Sequence, residues 1–462
     1  MTIVQAGRPG QAVPAPPGTP APARRSVPGR IRVISGITVA SLALLFAALA
    51  AGSTSARDGL TVIGRDAGPQ VVATAGLYLG LSDMDAQVAD ALLMGKEYGP
   101  QRQAAIAQYE RRRSEANQAL LKAFELSGDN PAERQTVQSV LDGLGRYERL
   151  AGQALLLDTQ ADHPAGPPPQ KVVEVYRQAT DLMRLVLLPQ AYNLTLESGT
   201  IVRRTYDEKS VMVPTVRFAV IVAGLLALSC LIWLQVFLAR RFRRVFGPAL
   251  LAATVVTIVA LVAGVNVLGR DLQELRTAKA DGFDSVLTLA RARAISNSLH
   301  GDQSRFLLDK GRADTYEHTF LDKSQSVIYL EAGNLDGYQA KVAQGAKHFL
   351  GLLGTELGGS DGERALDAYT RFQDADAKFR ALAASGQASE AVSARLGTVR
   401  ESFDAYDKAL LKLAEQHEAV FKRATDAGES ALDNLWRLLP FAIGGLGLLV
   451  IAGVWPRLKE YR

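Results

Sequence analysis

The sequence predicts an all-α integral membrane protein with four transmembrane helices, and three observations indicate this class. Four strongly apolar segments each approach the roughly 20 residues that a helix needs to cross a bilayer. The long stretches between them place apolar residues at helical spacing. No sustained alternation of apolar and polar residues, bounded by hairpin turns, predicts a strand. The predicted spans are residues 33–56, 217–239, 248–269 and 438–456.

The second and third apolar segments follow each other almost directly, with a basic turn between them. Residues 240–247 are too few to form a domain, so the two segments predict a transmembrane hairpin. Lys and Arg near the ends of spans are retained on the cytoplasmic side, which places this turn inside the cell. The candidates for setting the topology, or for coupling to a cytoplasmic partner, are Arg240, Arg241, Arg243 and Arg244.

The first apolar segment has two interpretations. Residues 1–32 are rich in Pro, Gly and Ala, a composition that predicts a disordered cytoplasmic tail. The stretch Ala48-Leu49-Ala50 has the pattern of a signal-peptide cleavage site, but the apolar segment is longer than the usual core of a signal peptide. We therefore expect the segment to be retained as a membrane span, and cleavage is the alternative.

The two polar stretches, residues 57–216 and 270–437, are each predicted to form an extracytoplasmic antiparallel four-helix bundle. The first span starts near Val33 and the third near Pro248, an offset of about 215 residues that suggests a tandem repeat of span, bundle and span. The basic residues of 457–462 predict a cytoplasmic C-terminus. The sequence leaves open whether the two bundles pack together.

Two helix starts in these bundles carry capping signals. Asn130 precedes Pro131, which suits the first helical position, and Glu133 follows three residues after Asn130. Ser360 is likewise followed by Glu363. Both arrangements match the capping box, in which two side chains satisfy the free N–H groups of the first helical turn. They predict helix starts at these two places.

The last helix of the second bundle carries the most regular apolar repeat of the chain. Its apolar positions are separated by alternating steps of three and four residues, which is typical of the seam of a bundle or coiled coil. His417 lies on this seam and, lacking companion ligands for a metal, is interpreted as a hydrogen-bonded core residue. The seam consists of Leu396, Val399, Phe403, Tyr406, Leu410, Leu413, His417 and Val420.

The three tryptophans fit the predicted spans. Trp436 and Trp455 bracket the fourth span, and Trp233 lies in the inner third of the second. Tryptophan is enriched at membrane–water interfaces, so all three are predicted interface anchors. The spans carry no ionisable residue between their ends, although transport pathways usually need some. This pattern argues against a pump or carrier.

Motifs for catalysis, metal binding or phosphate binding are missing from the sequence. Asp83 and Asp85 lie two residues apart on a predicted helix, so they do not share a face, and we interpret them as a solvated pair. The run Arg111–Arg113 is interpreted as a solvated helix face. The single cysteine, Cys230, excludes an intrachain disulfide and a cysteine-based zinc site. We therefore expect a protein that is not an enzyme and binds no cofactor or metal.

With these features, the sequence resembles the GlnX-type membrane proteins of actinobacteria. The resemblance rests on Arg30-Ile-Arg32, the helical segment 81–95, the basic turn 240–244 and the segment 297–309. It implies a protein placed between a solute-binding lipoprotein, which senses amino acids such as aspartate and glutamate, and a cytoplasmic Ser/Thr protein kinase G. No ligand residues can be transferred, because these segments match by composition more than by motif.

Three functions compete at this stage. The first is a non-enzymatic signalling adaptor in the plasma membrane, which relays the status of aspartate, glutamate or glutamine to a cytoplasmic Ser/Thr kinase. The second is a chemoreceptor-like sensor that binds a ligand directly. The third is a structural scaffold for envelope assembly. The net charge of +5 comes mainly from Arg clusters beside the spans, so no nucleic-acid partner is expected. The sequence does not specify the ligand, the partner-binding surface or the oligomeric state.

Overall fold

The computed structural model describes residues 27–127, 130–242, 247–345 and 350–459. Within these residues the protein is all-α, as the sequence predicts. An isolated antiparallel bridge joins Tyr329 to Leu350. The α-helices are α1 (Val27–Thr61), α2 (Gly68–Met94), α3 (Gly99–Leu126), α4 (Pro131–Ala161), α5 (Gln170–Leu182), α6 (Leu188–Phe242), α7 (Pro248–Arg276), α8 (Asp284–Leu308), α9 (Ala313–Val327), α10 (Leu335–Ala343), α11 (Gly359–Ala384), α12 (Ala388–Ala394) and α13 (Arg400–Lys459).

Several of these helices join end to end into four much longer ones. The continuous helices run over Gly29–Met94, Gln170–Arg240, Pro248–Leu308 and Ala388–Pro456, and each is long and apolar enough to cross a membrane. Their 61 to 71 residues correspond to about 90–105 Å at the α-helical rise. A bilayer core is only about 30 Å thick. Each of the four long helices therefore has enough length for a membrane span and a long polar extension.

The chain divides into two compact units. Among the described residues, the membrane unit comprises 27–48, 220–242, 247–263 and 439–459. The other unit comprises 49–127, 130–219, 264–345 and 350–438, and we call it the outer unit because it holds the two polar stretches that lie outside the four apolar segments. Both polar stretches of the sequence thus belong to one unit. They share a continuous hydrophobic core, to which the first half contributes Leu92 and Tyr147 and the second half contributes Phe372 and Tyr406, for example. The two halves therefore pack together, a point that the sequence leaves open.

A π-helical turn interrupts each of the four long helices within the outer unit. The four turns are Val62–Ala67, Met183–Leu187, Thr277–Phe283 and Arg395–Val399. The first and third turns begin 215 residues apart, and the second and fourth begin 212 residues apart. A π-turn inserts one extra residue into an α-helix and is rare. The π-turns thus recur at offsets close to the 215 residues that separate the starts of the first and third apolar segments.

The two capping signals have different outcomes. Asn130 is the N-cap of α4, its side chain accepts a hydrogen bond from the backbone N–H of Glu133, and Pro131 takes the first helical position. This prediction is confirmed. The prediction for Ser360 is wrong by two residues, because α11 begins at Gly359 with Gly358 as its N-cap. Gly359 has φ +72°, a conformation that favours glycine. The helix therefore follows a turn at Gly359, and no side chain caps its first N–H groups.

Candidate functional site

The centre of the outer unit is the contact between α2 of the first half and α8 of the second. Nearly every residue of 81–95 in and after α2 is buried, as is nearly every residue of 296–309 around α8. The helices approach closely at Gly301, where an added Cβ would lie 3.2 Å from the Cα of Ala86. A side chain larger than hydrogen at this position would push the helices apart. The contact nevertheless contains several charged and polar groups.

The first group of polar side chains surrounds Asp85 and Arg305. Arg305 Nη2 lies 2.5 Å from Asp85 Oδ2, and both side chains are 1% exposed. Asp85 also accepts hydrogen bonds from the hydroxyl groups of Tyr147 at 3.2 Å and Thr180 at 2.7 Å. Arg305 Nε donates to the hydroxyl oxygen of Tyr176 at 3.1 Å. Asp85 is therefore fully enclosed by donors from three other helices, α4, α5 and α8.

A second carboxylate balances the remaining charge of this group. Arg305 Nη1 donates to Asp302 Oδ1 at 2.6 Å, and Lys323 of α9 contacts the other oxygen of Asp302. Burial alone would raise the pKa of Asp302, but Lys323 and Arg305 together hold that pKa below its usual value. Burial likewise opposes the charge of Arg305, yet its tyrosine and carboxylate neighbours keep the pKa of the guanidinium well above normal. Two acids and two bases thus form a neutral buried cluster.

The second polar group joins the halves about one helical turn further along α2. Asp90 Oδ1 accepts hydrogen bonds from Ser304 of α8 and from Arg395 Nη2, the latter at 2.8 Å. Arg395 Nη2 also donates to the backbone oxygen of His300 at 2.9 Å. The ring of His300 stacks on Phe403 with 4.0 Å between centroids. Burial, followed by the charge of Arg395, lowers the pKa of His300 well below its ordinary value, so this imidazole is neutral.

The pair of Asp90 and Arg395 is less completely satisfied than the pair of Asp85 and Arg305. Arg395 Nε and Nη1 and Asp90 Oδ2 have no hydrogen-bond partner among the described residues. Both side chains are at most 1% exposed. A buried polar atom without a partner costs about 1–3 kcal/mol. The contact between the halves therefore contains three buried polar atoms that could still form hydrogen bonds.

A third polar group lies deeper in the second half. Asp376 of α11 accepts hydrogen bonds from Gln303 at 2.7 Å, Gln339 at 2.8 Å and Arg380 Nε at 2.8 Å. Gln303 in turn contacts His300 through its side-chain oxygen at 3.0 Å. The polar network therefore extends from α2, across α8, to α10 and α11.

Each of the four long helices contributes to this network. Asp85 belongs to the helix Gly29–Met94, and Tyr176 belongs to Gln170–Arg240. Arg305 belongs to Pro248–Leu308, and Arg395 belongs to Ala388–Pro456. The network thus connects all four helices that are long and apolar enough to cross a membrane. Within the described residues, no group of three or more His, Cys, Asp or Glu side chains could hold a metal ion.

The interpretation of Asp83 and Asp85 as a solvated pair is wrong. Asp83 is 4% exposed and Asp85 is 1% exposed. The two side chains do point to different faces of α2, but helices cover both faces. Asp83 Oδ2 accepts a hydrogen bond from Arg112 Nε at 2.7 Å, so one member of the arginine run of α3 pairs with α2 rather than with solvent alone. The opposite face, with Asp85, is covered by α4 and α5 of the first half and by α8 of the second.

The predicted basic turn lies largely outside the described residues. Arg240 is exposed at the end of α6 and Arg241 belongs to the same helix, whereas Arg243 and Arg244 lie outside the residues that the structure describes. Trp233 and Trp455 are 54% and 59% exposed, and Trp436 is partly buried.

The structure places most of the predicted seam in the core of the outer unit. Leu396, Val399, Phe403, Tyr406, Leu410 and Leu413 are at most 9% exposed. His417 and Val420 are partly buried. His417 Nδ1 lies 2.6 Å from the backbone oxygen of Asp281, but its side chain is 27% exposed, so it lies at the edge of the core and not within it.

Sequence reasoning missed the charged residues of the network. Arg305, Lys323 and Arg395 are ordinary charged residues of helical segments in the sequence, and no spacing rule marks them as buried. The available signal was indirect. Asp85 and Asp90 lie in a segment that is otherwise rich in Ala, Leu and Met, and such a segment is expected to be buried on several sides. Buried carboxylates need cationic partners.

Comparison with known proteins adds one match. Residues 59–207 match the family model described as an actinobacterial sensor domain. The matched region includes Asp85 and Asp90 and covers about a third of the chain. The match shows that this part of the chain is similar to a sensor domain. No curated protein and no solved structure matches the chain.

Proposed function

We propose that the protein is a non-enzymatic signalling adaptor that relays the status of an extracytoplasmic amino acid across the plasma membrane. One observation carries the proposal: the buried polar network receives residues from all four long helices. Asp85 and Arg305 join the first and third of these helices, and Asp90 and Arg395 join the first and fourth. A change in the packing of the outer unit would therefore act on all four long helices.

The network is suited to discrete changes. A buried ion pair contributes little net stability when both partners are present, but the removal of one partner is strongly destabilising, because it leaves an uncompensated buried charge. Packed helices accordingly shift between a few arrangements, by piston or rotational movements of about 1–2 Å, and do not deform continuously. Four long helices can transmit such a shift along their axes. The match of residues 59–207 to a sensor domain supports a sensory input in the first half.

The proposed topology follows the distribution of charge. Residues 1–32, 240–247 and 457–462 are cytoplasmic, and the polar stretches 57–216 and 270–437 are extracytoplasmic. The basic residues of the tail, the turn and the C-terminal segment support this orientation. The internal turn, residues 240–247, is much smaller than a folding domain of about 50 residues. In this proposal the output passes to a separate cytoplasmic protein that contacts the turn.

The proposed partners follow from the resemblance to GlnX-type proteins. Outside the membrane, a solute-binding lipoprotein would present aspartate, glutamate or glutamine status to the outer unit. Inside, a Ser/Thr protein kinase would read the basic turn, in which Arg240, Arg241, Arg243 and Arg244 are the candidate contacts. A structural scaffold for envelope assembly is the main rival, because a scaffold would also anchor a large outer unit in the membrane.

In-cell crosslinking followed by purification from membranes and mass spectrometry tests this function. A solute-binding lipoprotein and a soluble kinase in the same eluate are expected. The variant with Gln at all four arginines of the turn should lose the kinase and keep the lipoprotein. Recovery of envelope-assembly proteins alone would replace the adaptor with the scaffold. Equal kinase recovery from wild type and variant would remove the turn from the proposal.

A further inference from the structure

A pocket of about 650 Å³ lies in the second half, at the C-terminal end of α8. Its walls come from α8, α9, α10 and α11, with apolar surface from Phe306, Leu307, Leu335 and a row of alanines on α11. The volume falls within the range of pockets that hold small molecules, which combine apolar walls with a few fixed polar groups. The charged residues in its lining are Lys310, Glu317, Asp336 and Arg380.

Arg380 is a fixed cation in the wall of this pocket. Its side chain is 10% exposed, and its Nε donates to the buried Asp376 at 2.8 Å. The guanidinium carbon lies 4.7 Å from the ring centroids of Phe306 and Phe320 and 5.3 Å from that of Phe379. Aromatic faces attract a guanidinium group at such distances. The position of the guanidinium group is therefore set before any ligand binds.

The two terminal nitrogens of Arg380 form no short hydrogen bond. Its Nη1 lies 3.5 Å from Glu317 Oε2, the outer limit of a hydrogen bond, and the Glu317 side chain is 48% exposed. Nη2 has no hydrogen-bond partner among the described residues. The contact between Arg380 and Glu317 is therefore long, and only its carboxylate side is open to solvent. The pocket thus contains a fixed cation beside a half-exposed carboxylate.

We propose that this pocket binds a zwitterionic α-amino acid with an apolar side chain. The carboxylate would accept from Arg380 Nη1, and the ammonium group would donate to Glu317, which turns away from Arg380 to receive it. The α-carboxylate and α-ammonium groups are neighbours in such a ligand, as Arg380 and Glu317 are in the wall. The apolar side chain would lie against Phe306 and Leu335. The proposal rests on the sensing role proposed above and gives the second half a ligand of its own.

A simple carboxylate fits the same wall less well, because Glu317 would face it at close range and repel it. A simple amine fits less well because Arg380 would repel it. The two opposite charges of the wall therefore favour a ligand that carries both charges. Lys310 and Asp336 also line the pocket and add one positive and one negative charge to it.

Calorimetric titration of the full chain in nanodiscs tests the proposal. The probes are leucine, isoleucine, valine, methionine and phenylalanine, together with isocaproate and isoamylamine, which lack the ammonium and carboxylate groups of leucine. At least one amino acid should bind with a measurable Kd. If leucine is the ligand, isocaproate and isoamylamine should each bind at least about tenfold more weakly than leucine, because each loses a charge-assisted hydrogen bond. The absence of binding by all five amino acids would overturn the proposal.

Two variants locate the binding to this pocket. Glu317→Gln should weaken amino-acid binding about tenfold by removing the acceptor for the ammonium group. Ala381→Phe should abolish binding by filling the pocket, which Ala381 lines. The matched controls are Glu363→Gln at an exposed position of α11 and Ala132→Phe at an exposed position of α4. Unchanged affinity in both pocket variants would place the ligand elsewhere. Failure of binding with normal recovery of the lipoprotein and the kinase would reject this pocket and leave the adaptor function standing.

Discussion

Arg305 of the second half and Asp85 of the first half, 220 residues apart in the chain, form an ion pair of 2.5 Å in which both side chains are 1% exposed. The charges of this cluster balance only across the two halves, because Asp302 of the second half faces two cations, Arg305 and Lys323, and Asp85 of the first half supplies the second anion. A buried charge without its partner is strongly destabilising. The pair therefore makes the folding of each half depend on the other.

This dependence gives the first prediction. Asp85→Asn and Arg305→Met should each lower the free energy of unfolding by about 3–5 kcal/mol, because each leaves an uncompensated buried charge. The double variant should recover a large part of this loss. The measurement is denaturant unfolding of the full chain in nanodiscs, monitored by circular dichroism. The matched control is Lys378→Met at the exposed pair of Lys378 and Asp374, where the change should stay below about 1 kcal/mol. Additive losses in the double variant would contradict direct coupling.

The sequence predicted the helices and their four apolar segments well, since both depend on local pattern. Asn130 illustrates this, because a cap and the three residues after it are sufficient to start a helix. Ser360 shows the limit: a pair of glycines, 358 and 359, begins α11 two residues early. The buried network could not be predicted, because burial of Asp85 depends on Arg305, which lies far away in the chain. A local pattern cannot show that a second helix covers the polar face.

The second prediction concerns pH and Asp271, two residues beyond the third apolar segment. Asp271 is 1% exposed and neither carboxylate oxygen has a partner among the described residues. Burial, with a smaller effect of Glu274, raises its pKa from 3.8 to about 7. The folded state therefore binds this proton more tightly than the unfolded chain does. The resulting stability is fully present below about pH 4 and is lost as the pH rises through about 7.

The measurement is the melting temperature of the full chain between about pH 5 and pH 8. The wild type should melt at a lower temperature at the upper end, and Asp271→Asn should flatten this slope because asparagine does not titrate. Each unit of pKa shift corresponds to about 1.4 kcal/mol. The control is Asp314→Asn, an exposed acid at the start of α9, which should keep the wild-type slope. A slope in Asp271→Asn equal to that of the wild type would assign the effect to other groups.

The third prediction concerns the close contact of α13 with the π-turn that precedes α8. An added Cβ at Gly282 would lie 2.7 Å from the Cα of Phe421 and 3.0 Å from its backbone nitrogen. Backbone atoms cannot move aside as a flexible side chain can, so Gly282→Ala should cost about 1–3 kcal/mol. Gly152→Ala is the control, because its Cβ would meet nothing within 4 Å in the middle of α4. There alanine should stabilise by about 0.5–1 kcal/mol through helix propensity. Equal effects at the two glycines would exclude steric contact as the cause.

The fourth prediction tests the apolar seam of α13. Leu410 and Leu413 are 0% and 3% exposed and belong to the core that the two halves share. Replacing either with alanine should lower the free energy of unfolding by about 2–5 kcal/mol, the lost transfer energy plus the cost of the cavity. Leu411, between them, is 39% exposed, so Leu411→Ala should cost less than about 1 kcal/mol. Denaturant unfolding of the three single variants is the measurement. If Leu411→Ala proved as costly as Leu410→Ala, this assignment of the buried face of α13 would be wrong. The helix would then have to be rotated so that Leu411 also faces the core.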